Sequence, residues 1–209
     1  MKKVLLSFLC VVAALTGWAQ TQLSESQSQE IMSALTQAAA SMQTMQCRFV
    51  QQKTSSMLAN PTVAEGTMAY AAPDKMRWEY TEPYRFALIV NGERIVKVTD
   101  GNAEVLEGNA GRMYQGMVGI IMGSASGKKL FDTSMFDVML YDDGAFWKAG
   151  MSPKRRDMRR MFSRLVFRFD KKTNGISQVE MVEAGGDVTE IRFEDIELNG
   201  ALEGQMFDK

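Results

Sequence analysis

The sequence predicts a mainly β chain with helices, an α+β fold built around one curved antiparallel sheet. Three observations carry this. From Gln46 onward, apolar residues recur at every second position, the period of a half-buried strand. Asn91-Gly92, between FALIV and RIVKV, and Asp100-Gly101 soon after are hairpin signals of the type I′ kind. No segment alternates strands with long helices in the regular way that a parallel α/β sheet requires.

The chain begins with what reads as a leader. Lys2 and Lys3 precede an uncharged run from Val4 to Leu15, and Gly17-Trp18-Ala19 supplies the small residues a signal peptidase needs, so residues 1–19 read as a cleaved secretory signal. The run is too short for a stable bilayer anchor. Cys10 lies inside it, after Ser7-Phe8-Leu9, whereas a lipid-attachment cysteine would end the run after small residues. The expected product is soluble and exported, and residues 20–209 form a single domain with a sizeable core.

Residues 24 to 45 read as a helix. Ser24 and Gln27 form a capping box, and Ile31, Leu35, Ala38, Met42 and Met45 recur at four-three spacing on one face. The period then changes to two. Phe49 and Gln51 mark one strand, Met68 and Tyr70 the next, and PDKMRWEYTEP at 73–83 a third, with Met76, Trp78 and Tyr80 facing one way and Lys75, Arg77 and Glu79 the other. RLVFRFD, ISQVEMV and VTEIRFEDI come later, separated by Lys171 to Gly175 and by Gly185-Gly186, and read as antiparallel neighbours in the same sheet.

One stretch interrupts the strands. GRMYQGMVGIIMGSASG, residues 111–127, places Met113, Met117, Ile120, Ile121 and Met122 at helical spacing among five glycines, each interior one costing a helix roughly 1 kcal/mol relative to alanine. Two accounts fit it: a short helix capping the sheet, or a movable lid over an apolar cavity.

Composition excludes much chemistry. The chain has no histidine, so it lacks the commonest general base and metal ligand and the usual partner of a nucleophilic serine or cysteine. Gly-x-Ser-x-Gly, a phosphate-cradling glycine loop and Cys-x-x-Cys are likewise missing. Asp142-Asp143 and Glu194-Asp195 are carboxylate pairs of the kind a glycosidase uses, but each falls at a strand end or turn, where solvated acids are usual. Without Lys2 and Lys3, the 24 basic groups fall to 22 against 25 acids, a balance that argues against nucleic acid as a partner. Beyond the leader, Cys47 is the one cysteine, so no internal disulfide forms; beside Phe49 it reads as a small buried residue rather than a reactive thiol. Of the 17 methionines only Met1 lies in the leader. Unbranched, polarizable methionine suits irregular apolar guests, though a methionine-rich core with no guest is the plainer account.

The order of these elements resembles a known family. A leader, an amphipathic helix, Phe-x-Gln at Phe49 and Gln51, a strand with Gly66, Pro73 and Trp78 in Pro-x-x-x-x-Trp, Pro83 two residues after Thr81, and a hairpin at Gly92 together resemble the LolA family of periplasmic carriers of outer-membrane lipoproteins. The likeness continues through Ser152-Pro153-Lys154, Phe167-x-Phe169-Asp170 and the run from Gly186 to Phe193.

The resemblance implies a half-open antiparallel β-barrel covered by a helical lid and enclosing a cavity for lipoprotein acyl chains. It implies an ATP-driven exporter in the inner membrane as loading partner, an outer-membrane acceptor or the outer membrane itself as destination, a monomer, and neither cofactor nor catalytic residue. On this reading Phe49, Met68, Tyr70, Met76, Trp78, Tyr80, Phe86 and Leu88 line the cavity, and residues 113 to 122 form the lid; the alternative for Trp78 is plain core. The nearest rival is the same fold carrying or sensing another lipid, and a more distant one is a hydrolase using Asp142 or Glu194. One departure stands out: where the best-known members have arginine before the proline, this chain has Ala72, so the latching of the lid differs.

A basic segment adds a possible docking surface. Lys154, Arg155, Arg156, Arg159, Arg160, Arg164 and Arg168 crowd one stretch against Asp157 and Asp170, a pattern drawn to anionic lipid or to an acidic partner face. Arg155, Arg156, Arg159 and Arg160 are the docking candidates; a solvated turn and outer strand face is the alternative.

Overall fold

The structure is a computed structural model that describes residues 21–107 and 131–208. The leader and the expected lid residues Met113, Met117, Ile120, Ile121 and Met122 lie outside the described residues.

Ser24 begins the first helix as expected. Its side chain accepts from the Gln27 N–H while Gln27 reaches back to the Ser24 N–H, closing the capping box ahead of α1, Glu25–Ser41. The helix stops short of 45. Met42 is already extended, and residues from Thr44 join β2 (Thr44–Thr54), where Met45 pairs with Tyr70. Helical spacing at Met42 and Met45 was overridden by the sheet ladder and by the Gln43 N–H, which donates to Asn199 Oδ1 at 2.7 Å.

Among the described residues, twelve strands form one open sheet. In chain order they are β1 (Thr21–Gln22), β2, β3 (Thr62–Ala71), β4 (Lys75–Glu82), β5 (Phe86–Asn91), β6 (Arg94–Thr99), β7 (Asn102–Val105), β8 (Phe136–Asp143), β9 (Phe146–Pro153), β10 (Phe162–Asp170), β11 (Ile176–Glu183) and β12 (Val188–Leu198), with a one-turn helix, α2 (Arg156–Arg159), between β9 and β10. Their spatial order is β1-β8-β9-β10-β11-β12-β2-β3-β4-β5-β6-β7, and every neighbouring pair is antiparallel. This is the half-open antiparallel architecture with helices that the sequence led us to expect. The last strand crosses back to join the first long one, with β12 paired to β2 from Val188↔Thr54 to Leu198↔Met45.

The two hairpin turns differ from each other. Thr99 pairs with Asn102, so Asp100 and Gly101 are the central residues, and both have positive φ (50° and 84°), as type I′ demands. Asn91, by contrast, pairs with Arg94, which makes Gly92 and Glu93 central. Only Gly92 is left-handed there (φ 63°), the pattern of type II′ rather than the expected I′.

Burial divides the sheet's faces. On the concave side, β8, β9 and β10 pack Phe136, Leu140, Met151 and Phe167 against Leu35, Ile31 and Met32 of α1. The same side of β2 to β6 carries a second apolar cluster, described below. On the convex side, Ala69, Ala87, Ile89 and Val96 are covered by Leu202, Met206 and Phe207, so the C-terminal segment closes the outside of β3 to β6; Arg77 fixes it by donating to Met206 O at 3.3 Å.

Candidate functional site

The eight residues expected to line a cavity lie together. Directly opposed residues in an antiparallel sheet share a face, so the register resolves the concave side of β2 to β6 into cross-strand rows. Met45, Tyr70, Met76, Val90 and Ile95 form one. Cys47, Met68, Trp78 and Leu88 form the next. The third is aromatic: Phe193, Phe49, Gly66, Tyr80 and Phe86.

Exposure is graded across these rows. The first two are buried throughout, whereas in the third Phe49 and Gly66 are buried and Tyr80, Phe86 and Phe193 are half-buried. The concave face is therefore closed near the Asn91-Gly92 turn and opens towards the end where β4 finishes and β5 begins. Half-buried apolar residues continue on β11 and β12 at Val179, Met181 and Ile191. These three and Phe193 were not anticipated. Their period-two spacing was visible in ISQVEMV and VTEIRF, but nothing local shows that β12 lies beside β2.

Aromatic packing fixes the geometry of the face. Phe49 stacks on Trp78 with centroids 4.2 Å apart and planes at 28°, and meets Tyr80 edge-on at 5.2 Å. Trp78 meets Phe193 edge-on at 6.2 Å. Gln51, the second residue of Phe-x-Gln, accepts a 2.8 Å hydrogen bond from the Tyr80 hydroxyl, so the polar tip of the half-buried tyrosine has a partner. Burial pushes the phenol of Tyr80 above its ordinary value, and it pushes the Cys47 thiol up to about 12. Cys47 is thus a packed apolar group on this face rather than a nucleophile. Ala72 adjoins the same cluster and donates its N–H to Gln43 O at 2.8 Å.

Elsewhere the face and its surroundings are less apolar or smaller. A crevice of about 50 Å³ runs under α1, lined by Leu35, Ala38, Met42, Phe169 and Ile176. On the convex side of β2 to β4, a groove of about 550 Å³ is lined by Arg48, Arg77, Glu79, Glu197 and Glu203 together with Ala69 and Met206, so an apolar guest there would have to desolvate several charges.

The carboxylate pairs are engaged by cations. Lys171 reaches Asp142 at 2.6 Å and Arg168 reaches Asp143 at 3.0 Å, while Asp195 is 3.7 Å from Arg48. Glu194 lies opposite Arg48 in the β12–β2 ladder. Among the described residues, no three acidic or sulfur groups are grouped to hold a metal ion. The docking candidates separate into two kinds. Arg155 is paired with Asp157 at 2.6 Å, whereas Arg156, Arg159 and Arg160 have no acid within ion-pair distance among the described residues.

Comparison with known proteins agrees with this geometry. An outer-membrane lipoprotein carrier protein of Methylobacillus flagellatus is 23% identical over 164 residues, covering 78% of this chain and 76% of the relative. One of the same name from Methylibium petroleiphilum is 24% identical over 168 residues, covering 80% and 79%. The fold is shared with the Mycobacterium tuberculosis lipoprotein LppX, with a TM-score of 0.52 at 10% identity over 86% of this chain and 99% of that one. Residues 40–209 match the family described as outer membrane lipoprotein carrier protein LolA, and the chain belongs to that family.

Proposed function

We propose that the protein covers the acyl chains of lipoproteins released from the inner membrane and carries them through the periplasm to the outer membrane. The graded concave face supports this reading: an apolar surface, closed at one end and half-exposed along an aromatic row at the other. Leaving an acyl chain in water costs roughly 0.8 kcal/mol per CH₂, so a lipidated protein crosses an aqueous compartment only under cover. Phe49, Met68, Tyr70, Met76, Trp78, Tyr80, Phe86 and Leu88 are the proposed lining, extended by Ile191 and Phe193.

Such a carrier binds and releases; it makes and breaks no bond in its cargo. Its proposed partners are an ATP-driven exporter in the inner membrane and, at the outer membrane, an acceptor protein or the membrane itself. It acts as a monomer in the periplasm once residues 1–19 are removed. Residues 111–127 are its proposed lid.

Native mass spectrometry with lipid extraction, applied to the mature protein purified from its own periplasm, tests the reading. Acylated protein bound one to one is the expected result. A free lipid in its place would reassign the same face to carrying or sensing another lipid, and an empty protein would count against any apolar guest.

A further inference from the structure

The end at which the concave face opens has an unusual surface. β2, β4, β9 and β11 all finish there, so it is built from the β2–β3 loop (55–61), the β4–β5 turn (83–85), the connection containing α2, and the β11–β12 turn. Met57, at the tip of the first loop, is 90% exposed, with Leu58 beside it at 51% and Met161 of the α2 connection at 57%. Tyr84 of the β4–β5 turn is half-exposed and lies 5.4 Å from Tyr80, which joins this rim to the aromatic row.

The charges at the rim are equally uneven. α2 buries Met158 and turns Arg156, Arg159 and Arg160 to solvent. Lys154, Arg155, Arg164 and Arg168 each meet an acid, but these three arginines meet none among the described residues. Met161 O accepts from the Ala184 N–H, so the α2 connection and the β11–β12 turn form one edge. Three strand spacings separate β10 from β2, which puts the arginines within roughly 15 Å of the Met57 loop along the rim.

We propose that this rim docks on an anionic lipid bilayer. Arg156, Arg159 and Arg160 lie among the headgroups, and Met57, Leu58 and Met161 enter the boundary between headgroups and hydrocarbon. An acidic protein face would answer the arginines and leave apolar loop tips three strands away in water. A bilayer presents negative charge and hydrocarbon along one plane and meets both. Docked in this way, the protein holds the open, aromatic end of its concave face against the membrane. The proposal rests on the rim alone and does not require that the cargo be a lipoprotein.

Flotation of the mature chain with vesicles of phosphatidylcholine, with and without phosphatidylglycerol, tests it. Binding is expected only with phosphatidylglycerol present, and it weakens as salt is raised. R156E/R159E/R160E lowers the vesicle partition coefficient about a hundredfold. M57D/L58D lowers it at every salt concentration, and K75E/K172E, at the opposite end of the sheet, leaves it unchanged. Circular dichroism and thermal midpoints show that each variant is folded. Equal binding to neutral vesicles, binding to neither, or full binding by the arginine variant overturns the proposal. So does binding confined to native membranes and abolished by protease, which assigns the rim to a protein. Vesicle binding needs no cargo, so this result and the mass-spectrometric one fail independently.

Discussion

The ring of Phe49 occupies the space that a side chain at Gly66 would need. A Cβ at Gly66 would lie 2.5 Å from Phe49 Cζ and closer still to the backbone oxygen of Glu79. The absence of a side chain in β3 lets Phe49 lie across that strand and reach both Trp78 and Tyr80. Gly66→Ala must move backbone as well as ring, and overpacking of this kind costs typically 1–3 kcal/mol. Urea denaturation is expected to show a lower midpoint at an unchanged slope; wild-type stability would mean the ring moves aside without loss.

Trp78 and Phe86 separate folding from binding. Trp78 is buried, and Trp78→Asp places an unpaired charge against Phe49 and Phe193, so both uptake of acylated protein and stability should fall steeply. Phe86 is half-buried at the open row, and Phe86→Ala should weaken acyl binding several-fold at a stability cost of about 1–2 kcal/mol. A folded Trp78 variant with normal uptake would remove that residue from the site.

Cys47 should be inert. With its thiol pushed up to about 12 by burial, its thiolate fraction at pH 8 is on the order of one in ten thousand. Ellman's reagent is expected to label it at the rate of global unfolding and in full only in denaturant; rapid labelling of the native protein would place the thiol at an open surface.

Stability should be flat across neutrality. The chain has no histidine, and the resolved shifts lead away from pH 7. Lys171 beside Asp142 holds that carboxyl below its ordinary 3.8, and the backbone N–H groups of Lys172 and Thr173 do the same for Asp170. A carboxyl with a lowered folded-state pKa stabilises fully above its unfolded value and loses that contribution as pH falls through the folded one. Lys53, raised through its hydrogen bond to Glu183, contributes below its unfolded value of 10.5 and fades as pH rises beyond it. Thermal midpoints should therefore hold level between about pH 5 and pH 9 and decline on the acid side below 3.8, less steeply in Asp142→Asn. A step between pH 6 and pH 7 would contradict this.

Local signals were legible where local forces decide. Ser24 and Gln27 specify the start of α1, and the alternation of Met76, Trp78 and Tyr80 specifies which side of β4 is apolar, because cap and pleat act over a few residues. The helix end was misjudged, since Met42 and Met45 keep helical spacing while the ladder with β3 claims their backbone. The Gly92 turn was mistyped because its class depends on the Asn91↔Arg94 register rather than on the dipeptide. Phe193 and Ile191 joined the candidate site only through the pairing of β12 with β2, a contact between ends of the chain. The covering of the convex face by Phe207 is of the same kind.

That pairing also sets when the protein becomes competent. Each β2-to-β7 neighbour follows its partner directly in sequence, so those strands zip up as they emerge, N-terminus first. The join between the two halves waits for β12, the last strand to appear. Until Phe193 arrives, the aromatic row lacks its outer member, and Trp78 lacks one of its three aromatic neighbours. A nascent chain therefore presents an unfinished greasy trough, and competence for cargo arrives in a single late step.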